Sequence, residues 1–215
     1  MTEYHKIQTC FKRDEKTKHI IEGDWTLPEF EYLKDSEWVW TEKVDGTNIR
    51  VMWDGVNVVF GGKTDSAQIP VQLLYRLQEL FEGTVRKQLL ATQFGTEPTQ
   101  VCLYGEGYGE KIQSGGNYFP DPNGRKVDFV LFDVKVGDWY LQREDVEDIG
   151  KNLGVEIVPI VGKGKMTEAI EKVRAGMQSQ WGYFVAEGLV LRPSTELRTR
   201  RGDRIITKIK HRDFK

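Results

Sequence analysis

Residues 42–50 read Glu42-Lys43-Val44-Asp45-Gly46-Thr47-Asn48-Ile49-Arg50, between two runs of aromatic and β-branched residues, Trp38-Val39-Trp40-Thr41 and Ile49-Arg50-Val51-Met52-Trp53. Such flanks favour strands, and an Asp-Gly pair whose glycine can take φ > 0 is a common hairpin turn. The stretch therefore predicts two short strands joined at Asp45-Gly46, with Lys43 at a strand end and Asp45, Asn48 and Arg50 close by. A lysine in that place has two readings. It is a solvated charge beside a turn, the commonest fate of the residue type. Alternatively it is a nucleophile, because an amine reacts when partial burial and neighbouring cations leave it neutral near pH 7.

Working outward, alternation from Trp38 to Gly62 predicts several strands, with a second turn at Asp54-Gly55. Over 69–82 the period changes: Ile69, Leu73, Leu74, Leu77, Leu80 and Phe81 fall on one face of a helix whose first turn tolerates Pro70. After a polar connection around 95–98, strands are expected at 101–104 and 127–136. The latter is nearly continuous in apolar residues, as a central strand covered on both faces would be. Between them, 105–125 is rich in glycine, asparagine and proline and predicts a long loop. Helices are expected at 143–153 and 167–177, separated by a short 157–161 segment, and strands at 186–192 and 204–209. Residues 1–36 are polar, and their basic cluster of Lys12, Arg13, Lys16 and Lys18 around Phe11 reads as a solvated face or a substrate contact. With no repeat and no linker, one α+β domain over 1–215 is the economical organisation.

The chain's 215 residues suffice for a sizeable core. A net charge of -2 means that the whole molecule does not advertise nucleic-acid binding, so a basic patch has to be sought locally. Cys10 and Cys102 have no metal-ligand spacing, which points to a reducing compartment and away from a disulfide scaffold or structural zinc. There is no apolar signal run and no eighteen-residue apolar stretch. The expected location is the cytoplasm, or a host cytoplasm for a viral protein, with no membrane partner.

Four further places carry chemistry. Glu106, in Gly105-Glu106-Gly107 after a strand, is a turn residue or a ribose ligand, with glycines that would let a ligand approach the backbone. Phe132 is core packing or an aromatic platform for an adenine. Glu187 opens the strand Glu187-Gly188-Leu189-Val190-Leu191-Arg192, either as an exposed end or as a carboxylate that binds a divalent metal or orients a lysine. Lys208 and Lys210, two apart, project from one strand face, solvated or gathered by an anion such as a triphosphate. The tail, 198–215, holds Arg198, Arg200, Arg201, Arg204, Lys208, Lys210, Arg212 and Lys215 against Asp203 and Asp213. It reads as a solubilising end or a grip on a nucleic-acid backbone.

Taken in order from Trp38 to Lys210, Lys43-Val44-Asp45-Gly46, Glu106, Phe132, Glu187 and the Lys208/Lys210 pair resemble the ordered motifs of the covalent nucleotidyltransferases, the family of ATP-dependent ligases and mRNA capping enzymes. The Asn48-Ile49-Arg50 continuation and the Glu-Gly-Leu-Val-Leu-Arg-Pro form are closest to the RNA ligase 2-like branch, which includes small phage members. The resemblance implies that Lys43 attacks the α-phosphate of ATP and that Lys208 and Lys210 lie on the phosphates. It implies Glu106 on the ribose, Phe132 under the base and Glu187 on a metal or the lysine, with Glu42, Asn48 and Arg50 as further nucleotide contacts. Lys63 stands where the branch has an arginine, keeping the charge without the bidentate fork.

The fold so implied is an α+β nucleotidyltransferase (adenylation) domain of antiparallel sheets with flanking helices, without the C-terminal accessory domain of larger relatives. The implied function is an ATP-dependent RNA ligase joining 5′-phosphate and 3′-hydroxyl ends through a lysyl-AMP and an adenylylated polynucleotide. ATP and Mg²⁺ or Mn²⁺ are the expected cofactors, RNA, a nicked duplex included, the expected partner, and a monomer the expected state. A DNA ligase, a GTP-using capping enzyme and a non-catalytic nucleotide- or RNA-binding module are the alternatives.

Overall fold

Strand alternation and helical period decide the elements of the computed structural model, which describes residues 3–97, 100–113, 118 and 124–215. In chain order they begin β1 (Gln8–Thr9), β2 (Phe11–Arg13), β3 (Ile20–Trp25), α1 (Pro28–Leu33), β4 (Trp38–Lys43), β5 (Thr47–Trp53), β6 (Val58–Gly61), α2 (Val71–Phe81) and α3 (Thr84–Phe94). There follow β7 (Val101–Gly109), β8 (Val127–Val136), β9 (Trp139–Tyr140), α4 (Arg143–Leu153), β10 (Glu156–Ile157), β11 (Ile160–Gly164), α5 (Met166–Arg174), β12 (Gly188–Pro193) and β13 (Thr207–Lys210). A 3-10 turn, His211–Phe214, comes after β13. Pro98 of the expected polar connection, and 114–117 and 119–123 of the expected long loop, lie outside the described residues. Among those described, no helix is long and apolar enough to cross a membrane, and Cys10 and Cys102 are buried and free.

The chain divides into two units, residues 1–4 with 45–158, and residues 5–44 with 159–215. In the first, a six-stranded sheet runs β10-β8-β7-β5-β6, with β9 on β8, and only β10 pairs in parallel. Ile49, Val51 and Trp53 of β5, Leu103 of β7 and Phe129, Leu131 and Val134 of β8 pack against Leu73, Leu77, Leu80 and Phe81 of α2 and Val146, Ile149 and Leu153 of α4. The expected helix over 69–82 is α2, with Pro70 as its N-cap, where a missing N–H costs nothing. The sequence reading has no counterpart for α3. Only Leu90 of that helix is fully buried, so its apolar stripe is too thin to read.

In the second unit, a five-stranded sheet runs β1-β13-β12-β4-β11, antiparallel except at β1–β13, and β2–β3 form a separate ribbon. Trp38 and Trp40 of β4, Leu189 and Leu191 of β12 and Ile209 of β13 pack on Met166, Ala169, Ile170 and Val173 of α5 and on Phe30 of α1. The expected solvated face at the N-terminus is thus partly core, since Cys10, Phe11 and Phe30 are buried. Of its basic cluster, Lys12 pairs with Asp24 at 2.7 Å and Arg13 with Asp213 at 2.7 Å, while Lys16 and Lys18 are exposed.

The opening stretch corrects one expectation. β4 and β5 do not pair as a hairpin; they belong to different sheets, and the chain passes from one unit to the other between Val44 and Asp45. Nor is Gly46 among the residues of positive φ. Glycine is needed there for a close approach: a Cβ would stand 2.2 Å from the Gly107 carbonyl oxygen. The Asp54-Gly55 turn is a hairpin as read, with Gly55 at φ +100 and β5 paired to β6.

Candidate active site

The second unit gathers the lysines. Lys43, Gly188 and Lys210 are register partners across three adjacent strands, and Thr41, Val190 and Lys208 form the next row. Because side chains alternate along a strand, Lys43, Lys208 and Lys210 project from the sheet face opposite Trp38, Trp40 and Ile209. Glu187, just before Gly188, serves two of them. One carboxylate oxygen pairs with Lys43 Nζ and the other accepts from Lys210 Nζ at 2.6 Å. All three side chains are mostly buried, at 19%, 11% and 14% exposed for Lys43, Glu187 and Lys210. The carboxylate lies between Lys43 and Lys210, not between Lys208 and Lys210, the pair for which the sequence reading looked for an anion. Lys43 and Lys210 against the one Glu187 carboxylate leave this trio with a net positive charge, as a polyphosphate requires.

Glu42 goes elsewhere. It lies on the core face of β4, only 1% exposed, and its carboxylate accepts Ser179 Oγ–H at 2.5 Å and the Gln180 N–H at 2.7 Å. Burial pushes its carboxyl above the ordinary range, and those two bonds pull only partly back. Folding therefore favours the protonated form. The stability that follows is complete below the unfolded-state pKa and is lost as pH rises through the raised folded value. In urea titrations at a series of pH values, the stability of wild type relative to Glu42→Gln is expected to fall as pH rises from below 4.5. A gap that widens over that range contradicts the assignment. Ser179 and Gln180 belong to no recognisable motif, so nothing in the sequence pointed to them.

In the first unit, Asn48 of β5, Glu106 of β7 and Val130 of β8 are register partners, as are Arg50, Tyr104 and Asp133. Ile49 and Leu103 point to the core, so Asn48, Arg50, Tyr104 and Glu106 share the other face. Phe132 joins them, because Tyr4 packs on both Tyr104, at 4.9 Å between ring centres, and Phe132, at 5.1 Å and edge-on. Tyr4 also donates its hydroxyl to Asp133 Oδ2 at 2.8 Å. Three residues from the chain start, it carried no sequence signal. Asn48 Oδ1 is buried with no hydrogen-bond partner among the described residues.

Two expectations about glycine and arginine change. Gly105 and Gly107 serve packing rather than ligand approach: a Cβ at 105 would stand 2.2 Å from the Phe129 ring, and one at 107 would stand 2.3 Å from Leu73. Gly105-Glu106-Gly107 accordingly lies inside β7, not in a loop after it. Arg50 is 1% exposed and donates to the Gly62 carbonyl at 2.8 Å and to Asp65 Oδ1 at 2.7 Å. It thereby holds the segment that presents exposed Lys63 and keeps the Asp65 carboxyl below its usual range.

The basic tail is also divided. Arg198, Arg200, Arg201, Arg212 and Lys215 are exposed, whereas Arg204 is buried and pairs twice with Glu196, at 2.5 and 3.2 Å. Arg204 is structural and is removed from the candidate nucleic-acid contacts. Arg204→Ala is expected to cost about 3 kcal/mol of stability by stranding Glu196, the low end for a buried pair because Glu196 reaches solvent. Denaturant melts check this, and an unchanged midpoint contradicts it. Among the described residues no group of three or more His, Cys, Asp or Glu could hold a metal ion. Both oxygens of Glu187 are engaged by lysines.

Residues 36–210 match the RNA ligase family. No curated protein matches in sequence. Among solved structures, a mutant Naegleria gruberi RNA ligase with ATP and Mn superposes with a TM-score of 0.66 at 19% identity, covering 99% of this chain and 59% of that one. The same ligase with PPi gives 0.64 at 20% identity over 98% and 62%, and a mutant with AMP and Mn gives 0.63 at 21% over 87% and 53%. These likenesses show the α+β ligase fold. The chain spans little more than half to about three fifths of the length of those relatives.

Proposed function

Because this chain belongs to the RNA ligase family, we propose that it is an ATP-dependent RNA ligase that joins 5′-phosphate and 3′-hydroxyl ends through a covalent lysyl-AMP on Lys43. The observation that carries the reading is the Lys43–Glu187–Lys210 arrangement on one sheet face. In the first step Lys43 Nζ attacks the α-phosphorus of ATP, an N–P bond forms, and the bond to pyrophosphate breaks. Glu187 is the hydrogen-bonded acceptor for the proton that Nζ sheds. Lys208 and Lys210 supply fixed positive charge where the phosphoryl oxygens gain negative charge. In the second step an oxygen of the RNA 5′-phosphate displaces Lys43 from the AMP. In the third the 3′-hydroxyl oxygen attacks that 5′-phosphorus and AMP leaves.

On the first unit's sheet, Glu106 is assigned to the ribose, Phe132 to the base, with Tyr4 fixing its ring, and Asn48 to a nucleotide donor, a role its unpartnered oxygen supports. Lys63, held out by Arg50, is assigned to a phosphate. A divalent ion, Mg²⁺ or Mn²⁺, enters with the triphosphate and neutralises part of its charge. The ATP, AMP and PPi complexes of the Naegleria ligase support the choice of nucleotide. One nucleotidyltransferase domain over residues 1–215 belongs to the same proposal, supported by a family match that runs through both units.

The test is label transfer. Purified protein is incubated with α-labelled ATP or GTP and Mg²⁺ or Mn²⁺, denatured on a gel, and in parallel chased with nicked RNA or DNA duplexes. Label from ATP that survives denaturation and is discharged as an RNA strand is joined supports the proposal. Absence of covalent label with either nucleotide overturns it in favour of a non-catalytic binding module.

A further inference from the structure

Between α5 and β12 the chain makes a ribbon that no step above uses. Gln178-Ser179-Gln180-Trp181-Gly182-Tyr183-Phe184-Val185 places three aromatic rings within four positions. Hydrophobic collapse normally hides such rings. Here Tyr183 is fully exposed and Val185 half exposed, with Trp181 and Phe184 partly so.

The ribbon is held in place. The Ala186 N–H donates to the Met177 carbonyl and the Ser179 N–H to that of Phe184, both at 2.9 Å, and Gln178 bridges Val185. At its tip the Trp181 N–H donates to Ser179 Oγ at 3.0 Å, and Ser179 Oγ–H and the Gln180 N–H bind the buried Glu42 carboxylate. Rings displayed on a fixed support lose little entropy when they bind.

Its surroundings identify the ligand. The anchor, Glu42, lies on the core face of β4, opposite Lys43, and the returning strand leads directly into Glu187. His211 and Val185 both lie against Gly176, whose Cβ would stand 3.3 and 3.7 Å from them. The His211 N–H donates to the Glu187 carbonyl at 2.8 Å, and Arg212, the next residue, is exposed. Tyr183 stands four positions before Glu187, whose carboxylate holds Lys43 and Lys210, and an exposed ring so close in the chain to a cationic site matches an unpaired nucleobase and its phosphate. We propose that residues 181–184, with Tyr183 at the tip, are a stacking platform for an unpaired base of the RNA end being joined, with Arg212 meeting the adjacent phosphate. The proposal rests on the RNA ligase reading.

Binding is measured by fluorescence anisotropy with a labelled, 5′-phosphorylated single-stranded RNA of about 12 nucleotides, and AMP labelling without RNA is measured on the same preparations. Tyr183→Ala is expected to raise Kd about 5- to 150-fold, the range for loss of one stacked base, whereas Tyr183→Phe keeps the ring and stays within about twofold of wild type. Arg212→Ala should lower the slope of log Kd against log salt by about one, as loss of one phosphate contact does. If wild type takes up AMP but its RNA affinity ignores Tyr183→Ala, the platform is overturned and the ligase reading stands. Equal weakening by Phe and Ala also overturns stacking, since the hydroxyl would then be the contact. A wild type that neither takes up AMP nor binds RNA overturns both.

Discussion

Lys43→Ala is expected to leave the protein unlabelled by α-labelled ATP, a loss on the order of 10⁴-fold or more in AMP transfer, because the amine that forms the N–P bond is gone. The side chain ends on the sheet face away from the second unit's core, and Glu187 keeps Lys210 as a partner when Lys43 is truncated. The variant should therefore remain folded, with a circular dichroism spectrum like that of wild type. It should also still seal RNA supplied already adenylylated at its 5′ end, since that substrate enters after the lysine has done its work. An AMP-labelled Lys43→Ala protein would remove Lys43 from the mechanism. Loss of sealing with adenylylated RNA would show that the substitution damages more than the nucleophile.

Glu187→Ala should produce the next largest effect. It leaves Lys43 and Lys210 in one row on either side of Gly188, with the carboxylate that bridges them gone. AMP transfer is expected to fall about 10²- to 10⁴-fold, the usual range when a positioned proton acceptor is removed. Glu187→Gln separates the two parts of that role. It fills the same space and can still accept one lysine, but it cannot take a proton. Its deficit should therefore approach that of Glu187→Ala if accepting the proton is the residue's role. A Glu187→Gln deficit much smaller than that of Glu187→Ala would make Glu187 a positioning residue only, and an unchanged transfer rate in both variants would exclude it from the site.

The elements most legible in the sequence are those whose signal is local. Helix α4 was read at its observed ends because Val146, Ile149 and Leu153 keep the helical period and Gly154 takes the left-handed conformation after them, at φ 66. Strand β8 was read whole because a strand buried on both faces is apolar nearly throughout. Where the signal was weak the reading failed. α3 fully buries one residue, and the N-terminal strands are too short and too polar in sequence to stand out. Arg204 was grouped with a solvated tail because charge alone does not reveal burial; Glu196, its partner, decides that.

By itself the sequence determined the strand and helix periods, the candidate nucleophile Lys43 and the order of the acidic and basic residues that accompany it, because each is a property of a residue and its neighbours in the chain. Only the tertiary structure decided which of these residues meet. It sent β4 and β5, three residues apart, to different sheets, and it set Glu187 between Lys43, 144 positions away, and Lys210. It turned Glu42 inward to anchor an aromatic ribbon and gave Arg50 to the loop that carries Lys63. The physical reason is that strand pairing and charge pairing are settled by partners distant in sequence. Those partners compete for the same backbone edge or the same carboxylate, and local pattern carries no record of which one wins.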